Sequence, residues 1–144
     1  MLDKNRILAK LDELDTYLSE LESVMPKSYE EYTNSIEKKR SCERLLHILI
    51  ECAIDVCALI VKNLRLGLPA EEEDFFEKLE KEKIIPKEMK EKLKTMRGFR
   101  NILVHRYAEV DDKLVFDNLR NINDFKEFRK EIGAFLRKHG KIHP

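Results

Sequence analysis

Residues Leu45 to Val61 read as a helix that is apolar around most of its circumference. A helix of this kind cannot lie on a surface, because every apolar side needs a neighbour to cover it. It must run through the middle of a helical assembly. Its exceptions are ordered: Arg44, His47, Glu51 and Asp55 follow at spacings of three, four and four, so they share one face. That polar stripe has to meet solvent, another polar stripe or a cleft. A metal site built on His47 and Glu51 is a weak reading, since no second ligand pair has matching spacing.

The flanking segments supply the cover. Ile7, Leu8, Leu11, Leu14, Leu18 and Leu21 recur every three or four residues, which predicts a first helix from Leu2 to about Met25. Pro26 closes it. Ser28 followed by Glu31 has the spacing of a capping box, and the second helix is expected to run from about Tyr29 to Leu66, with a bend. Gly67 stands where a C′ glycine would stop that helix, and Pro69 prevents its resumption. A short helix follows from Ala70 to Lys83, packing through Phe75, Phe76 and Leu79. Pro86 opens a fourth helix that reaches about His105. Asp111-Asp112 caps a fifth, with Val115, Leu119, Ile122, Phe125, Phe128, Ile132 and Phe135 on its inner face and a break or distortion at Asn121 to Asn123. The expectation is an all-α protein, a five-helix up-and-down bundle forming a single domain over residues 1–144, a length that supports its own core. Apolar residues make up 42% of the chain and charged residues 39%, which fits solvated helices around an apolar centre and excludes disorder.

Net charge is zero, so no overall field draws the chain to nucleic acid. Locally, Glu71 to Glu82 carries seven acids and two bases, and Lys87 to Arg106 carries seven bases and two acids. Two readings stay open: solvated helix faces that pair with each other, or a phosphate-binding surface. Cys42, Cys52 and Cys57 are odd in number and lack CxxC spacing, which argues for small buried apolar residues rather than a disulfide framework or a zinc site. Charges interrupt every apolar run near the N-terminus, and the Leu45–Val61 segment is a poor membrane span, so a reducing cytoplasm is the expected location.

The segment Arg100-Asn101-Ile102-Leu103-Val104-His105-Arg106-Tyr107 concentrates the chemistry. Cleavage of RNA through its own 2′-hydroxyl needs a group that moves protons near neutral pH and a cation to stabilise the phosphorane. Histidine supplies the first and arginine the second, and no metal is required. Asn101 can orient the phosphate or the imidazole. Five residues leave Arg100 and His105 about 140° apart on a straight helix. They converge only through a distorted helix end, a long reach by Arg100, or a second subunit across a two-fold axis.

Met96 to Tyr107 resembles the R-x4-6-H signature of the HEPN superfamily, and more narrowly the R-x4-H-x-Y form of its HepT branch. The resemblance extends through Asp55, Arg65-Leu66-Gly67-Leu68-Pro69, Phe75, Leu79, Ile84, Ile85, Met89, Leu93 and Met96, then Val110-Asp111, Val115-Phe116 and Leu119, spanning residues 40–135. It implies a five-helix HEPN homodimer with both motifs at the interface, acting as a metal-independent RNA endonuclease and toxin. It implies no cofactor of the chain's own, ATP being used only by a partner MNT-type nucleotidyltransferase antitoxin that transfers AMP onto the motif tyrosine. Arg100 and His105 then take the catalytic roles, Asn101 and Asp55 support them, and Tyr107 is the modification site. The alternative is a non-catalytic HEPN dimer that binds the nucleotidyltransferase, nucleotide or RNA. A purely structural bundle explains the apolar stripes but not the eight-residue segment.

Overall fold

The computed structural model describes residues 2–105 and 110–140. Among these residues all regular structure is helical: α1 (Lys4–Val24), α2 (Tyr29–Thr33), α3 (Ile36–Asn63), α4 (Glu73–Lys81), α5 (Lys87–Val104), α6 (Asp112–Leu119) and α7 (Asn123–Gly140). The two helices beyond the expected five arise from breaks, not from new elements. Ser35 accepts the Lys38 N–H at 3.2 Å and so restarts the chain as α3, splitting the long second helix after Asn34. Residues 120–122 part α6 from α7 at the predicted Asn121–Asn123 distortion, where the Asn121 amide turns back on the Asp117 carbonyl.

Helix α3 is the axis of the bundle and packs against all six others. Its buried residues include Leu46, Leu49, Ile50, Ala53, Ile54, Val56, Ile60 and Val61, spread around the helix as the sequence demanded. The leucine-rich stripe of α1 lies along it, with Ile7, Leu11, Leu14 and Leu21 fully excluded from solvent. Phe125, Phe128, Ile132 and Leu136 close the other side from α7. No helix among the described residues is long and apolar enough to cross a membrane.

The stop of α3 differs from expectation. The helix ends at Asn63, and Arg65, not Gly67, takes the left-handed position with φ 53°. Leu66 donates to the Val61 carbonyl at 3.1 Å and Arg65 to that of Lys62 at 3.2 Å, the paired bonds of a Schellman end. A second such end, centred on Lys83 at φ 60°, closes α4 and directs Ile84 and Ile85 into the core. Gly67, at φ 105°, serves the connecting loop instead.

The opposed charge of the α4 and α5 segments resolves largely into pairing. Glu77 meets Lys90 at 3.6 Å and also meets Lys94, Glu80 meets Lys90 at 3.3 Å, and Glu72 meets Arg97 and Arg100.

The three cysteines are buried and free. Burial pushes the Cys42 and Cys52 thiols up to about 11, and that of Cys57 upward as well. Little thiolate therefore exists at mildly alkaline pH. Labelling of the native protein with a soluble disulfide reagent should run at least about tenfold slower than labelling in denaturant. Equal rates would contradict this burial.

Candidate functional site

Helix α5 carries the site. Phe99 and Leu103 anchor it in the core at 4% and 6% exposure, and this register places Arg100 between them on the side facing α3 and α4. The Arg100 side chain is 10% exposed. Its Nη1 donates to Glu51 Oε1 on α3 and its Nη2 to Glu72 Oε1 just before α4, while Nε is buried without a hydrogen-bond partner. Burial opposes the charge, but the two carboxylates outweigh it and hold the guanidinium's pKa above its ordinary value. A planar fork gripped at both ends is a fixed cation, which suits charge stabilisation better than a swinging one.

His47 joins this group through Glu51, with Nε2 3.6 Å from the same Oε1 that takes Arg100. Burial lowers the His47 pKa. Glu51 works against that, while Arg44 and Arg100 reinforce it. The expected polar stripe is thus real but divided. Each four-residue step turns about 40° around a helix. His47 and Glu51 consequently face α5, whereas Asp55 turns to α1 and pairs with Lys10 at 3.3 Å. Asp55 was expected to share the cleft; the acid that meets Arg100 is Glu51, one turn earlier. Arg44 is exposed.

The other motif residues lie at the end of α5. The helix runs regularly through Val104, and His105 is its C-cap, exposed, with its N–H donating to the Asn101 carbonyl at 3.0 Å. Asn101 is half-buried. No hydrogen bond or ion pair among the described residues joins Arg100 to His105: one faces inward and the other out. The end of the helix does not distort to bring them together. In the same turn as His105, Ile102 and Val104 expose 49% and 47% of their surfaces. Tyr107 lies outside the described residues, as does Arg106. No cluster of three or more His, Cys, Asp or Glu side chains placed to hold a metal occurs among the described residues.

The residues that the linear pattern did not single out are Glu72 and Arg97. Both looked like members of the opposed charge runs. Only the packing of α4 on α5 distinguishes them from their neighbours.

Comparison with known proteins agrees with this arrangement. Residues 14–132 match the family described as Ribonuclease HepT-like. The chain is similar to a tRNA nuclease HepT of Aphanizomenon flos-aquae, 31% identical over 131 residues, covering 90% of this chain and 89% of that protein. It is also similar to an mRNA nuclease HepT of Shewanella oneidensis, 34% identical over 85 residues, covering 58% of this chain and 64% of that one. Among solved structures it resembles the tri-AMPylated Shewanella oneidensis HEPN toxin in complex with its MNT antitoxin, with a TM-score of 0.82 and 26% identity over 93% of this chain and 99% of that one. An all-α HEPN bundle, the motif arginine fixed on its fifth helix and a family match over most of the sequence converge: the chain belongs to the HepT-like ribonuclease family.

Proposed function

We propose that this protein is an endoribonuclease and the toxin of a toxin–antitoxin pair, silenced by a nucleotidyltransferase partner that places AMP on Tyr107. The observation that carries the reading is the immobilised Arg100 guanidinium five residues before an exposed histidine, in a chain whose relatives are named as nucleases. Those relatives differ in the RNA named, tRNA in one and mRNA in the other, so the substrate is assigned at the level of RNA.

In the proposed reaction the 2′-oxygen attacks the adjacent phosphorus as its proton leaves to a base. The P–O5′ bond breaks, and the departing oxygen takes a proton, leaving a 2′,3′-cyclic phosphate and a 5′-hydroxyl. His105 moves protons, and Arg100 meets the charge that gathers on the non-bridging oxygens. No step calls for a metal ion or a cofactor. Arg100 and His105 face different ways in one protomer, and Ile102 and Val104, on different sides of the last turn of α5, each leave an aliphatic side chain half exposed near the motif. Both features support a homodimer whose two motifs share one cleft.

AMP on Tyr107 adds a phosphate and a bulky base near the motif, where it competes with RNA for the same cations. The tri-AMPylated state of the similar Shewanella oneidensis toxin supports this switch. Co-expression with the partner should raise the intact mass of wild type by one or more AMP units. Tyr107→Phe should keep its ribonuclease activity, gain no AMP at this position, and escape silencing. Full silencing of Tyr107→Phe without stable complex formation would show that Tyr107 is not the switch.

A second reading, a non-catalytic dimer that docks the nucleotidyltransferase, draws on the pairing of Arg100 with two carboxylates. Equal RNA cleavage by wild type and His105→Ala would favour it.

A further inference from the structure

Lys90, Lys92 and Lys94 of α5 each meet carboxylate oxygens that no other of these lysines shares, but Arg97 and Arg100 do something different. They stand one helical turn apart on the same face and converge on a single oxygen. Arg97 Nε donates to Glu72 Oε1 at 3.0 Å, and Arg100 Nη2 donates to that same atom. Two guanidinium groups around one anionic oxygen make an anion site, and one of them is the motif arginine. Arg97 lies outside the R-x4-H-x-Y pattern. We propose that Arg97 and Arg100 together form a phosphate-binding subsite for RNA, in which the Glu72 carboxylate holds the place of the phosphate until substrate arrives. The proposal rests on the ribonuclease reading above and adds a substrate-binding residue and a displaced anion to it.

Charge balance is the main argument. A phosphodiester and a carboxylate each carry one negative charge, so exchanging Glu72 for phosphate keeps the two arginines neutralised throughout. Glu51 stays on Nη1 and continues to orient the fork. Without an exchange, a phosphate approaching Arg100 would meet two carboxylates already in place, and repulsion would oppose binding. The Nε of Arg100, buried and unpartnered, marks a donor left unused by the present anion. The mounting of Glu72 also suits release. It is 35% exposed, sits at the N-cap position just before α4 and makes no side-chain cap bond there; Asp74 accepts from the preceding Ala70 and Glu71 amides instead. The helix therefore does not need Glu72 in its present place.

An ion pair that merely ties α4 to α5 makes a different prediction. Removing either partner would then loosen the same contact and shift RNA binding in the same direction. A placeholder gives opposite signs. In a His105→Ala background, which stops turnover, the Kd of a short single-stranded RNA can be read by fluorescence anisotropy. Glu72→Gln should bind about three- to tenfold more tightly, because the competing charge is gone. Arg97→Gln should bind about three- to tenfold more weakly, with the log Kd against log salt slope shallower by about one. Arg97→Lys, which keeps charge but loses the fork, should fall between Arg97→Gln and wild type. Thermal melts within a few degrees of wild type show that each variant is folded. Weaker or unchanged binding by Glu72→Gln overturns the proposal, as does unchanged binding by Arg97→Gln. Absence of Arg100-dependent cleavage by the otherwise wild-type chain would instead refute the ribonuclease reading, and the binding signs would still decide the subsite.

Discussion

Arg100→Ala and His105→Ala should each lower metal-free RNA cleavage by about 10²- to 10⁴-fold, measured on end-labelled RNA with a chelator present. The two losses have different causes. Arg100→Ala removes the cation that meets charge on the phosphorane. His105→Ala removes the proton carrier and leaves the Arg100 cluster in place, since His105 is exposed at the helix end and no hydrogen bond or ion pair among the described residues joins it to Arg100, Glu51 or Glu72. Neither variant should unfold. Glu51 and Glu72, which Arg100→Ala deprives of one partner each, keep His47 and Arg97, are 39% and 35% exposed and can take water in place of the guanidinium. Arg100→Lys keeps a charge but cannot span two carboxylates from a planar fork, so its activity should sit well below wild type and above alanine. Activity in His105→Ala equal to wild type would sink the catalytic assignment.

Phe76→Ala should cost about 3–5 kcal/mol in chemical denaturation, a large share of the roughly 5–15 kcal/mol that holds a domain of this kind together. Helix α4 has nine residues, too few to persist in water without tertiary support. Phe76 and Leu79 are its buried residues, both fully excluded from solvent against α3 and α5. Truncating the ring empties that contact and frees the start of α4, where Glu72 meets Arg97 and Arg100. A loss below about 1 kcal/mol would mean that the site re-collapses or that α4 is held by its ion pairs, and would contradict this packing account.

Much of the fold is legible in the linear pattern because burial obeys helical periodicity. The Ile7-to-Leu21 stripe, the multiply apolar α3 and the Val115-to-Ile132 face all reach the core. Errors fall at helix ends, where the outcome depends on a few hydrogen bonds. Asn34 and Ser35 contain nothing that a long helix could not tolerate, yet the Ser35 hydroxyl caps α3 and breaks the run. Gly67 was the natural stop by backbone preference, but the Schellman bonds formed two residues earlier and forced Arg65 into the left-handed region. The local propensity was outweighed by where Leu66 had to go.

The site divides along the same line. From residue types and spacing alone came a motif with an arginine, a histidine and a tyrosine at Arg100, His105 and Tyr107, the polar stripe on α3, and the rule that one straight helix cannot aim Arg100 and His105 together. Those depend on side-chain chemistry and on the fixed angle per residue, both local properties. Which acid meets Arg100 was decided only in three dimensions. Glu51 and Asp55 are equivalent by spacing, and the 40° drift per step sends one to α5 and the other to Lys10 on α1. The role of Glu72 and Arg97 is likewise invisible along the chain, because a run of like charges names no partners. It is the packing of α4 on α5 that brings two guanidinium groups to one carboxylate oxygen and turns a pattern of charge into a site.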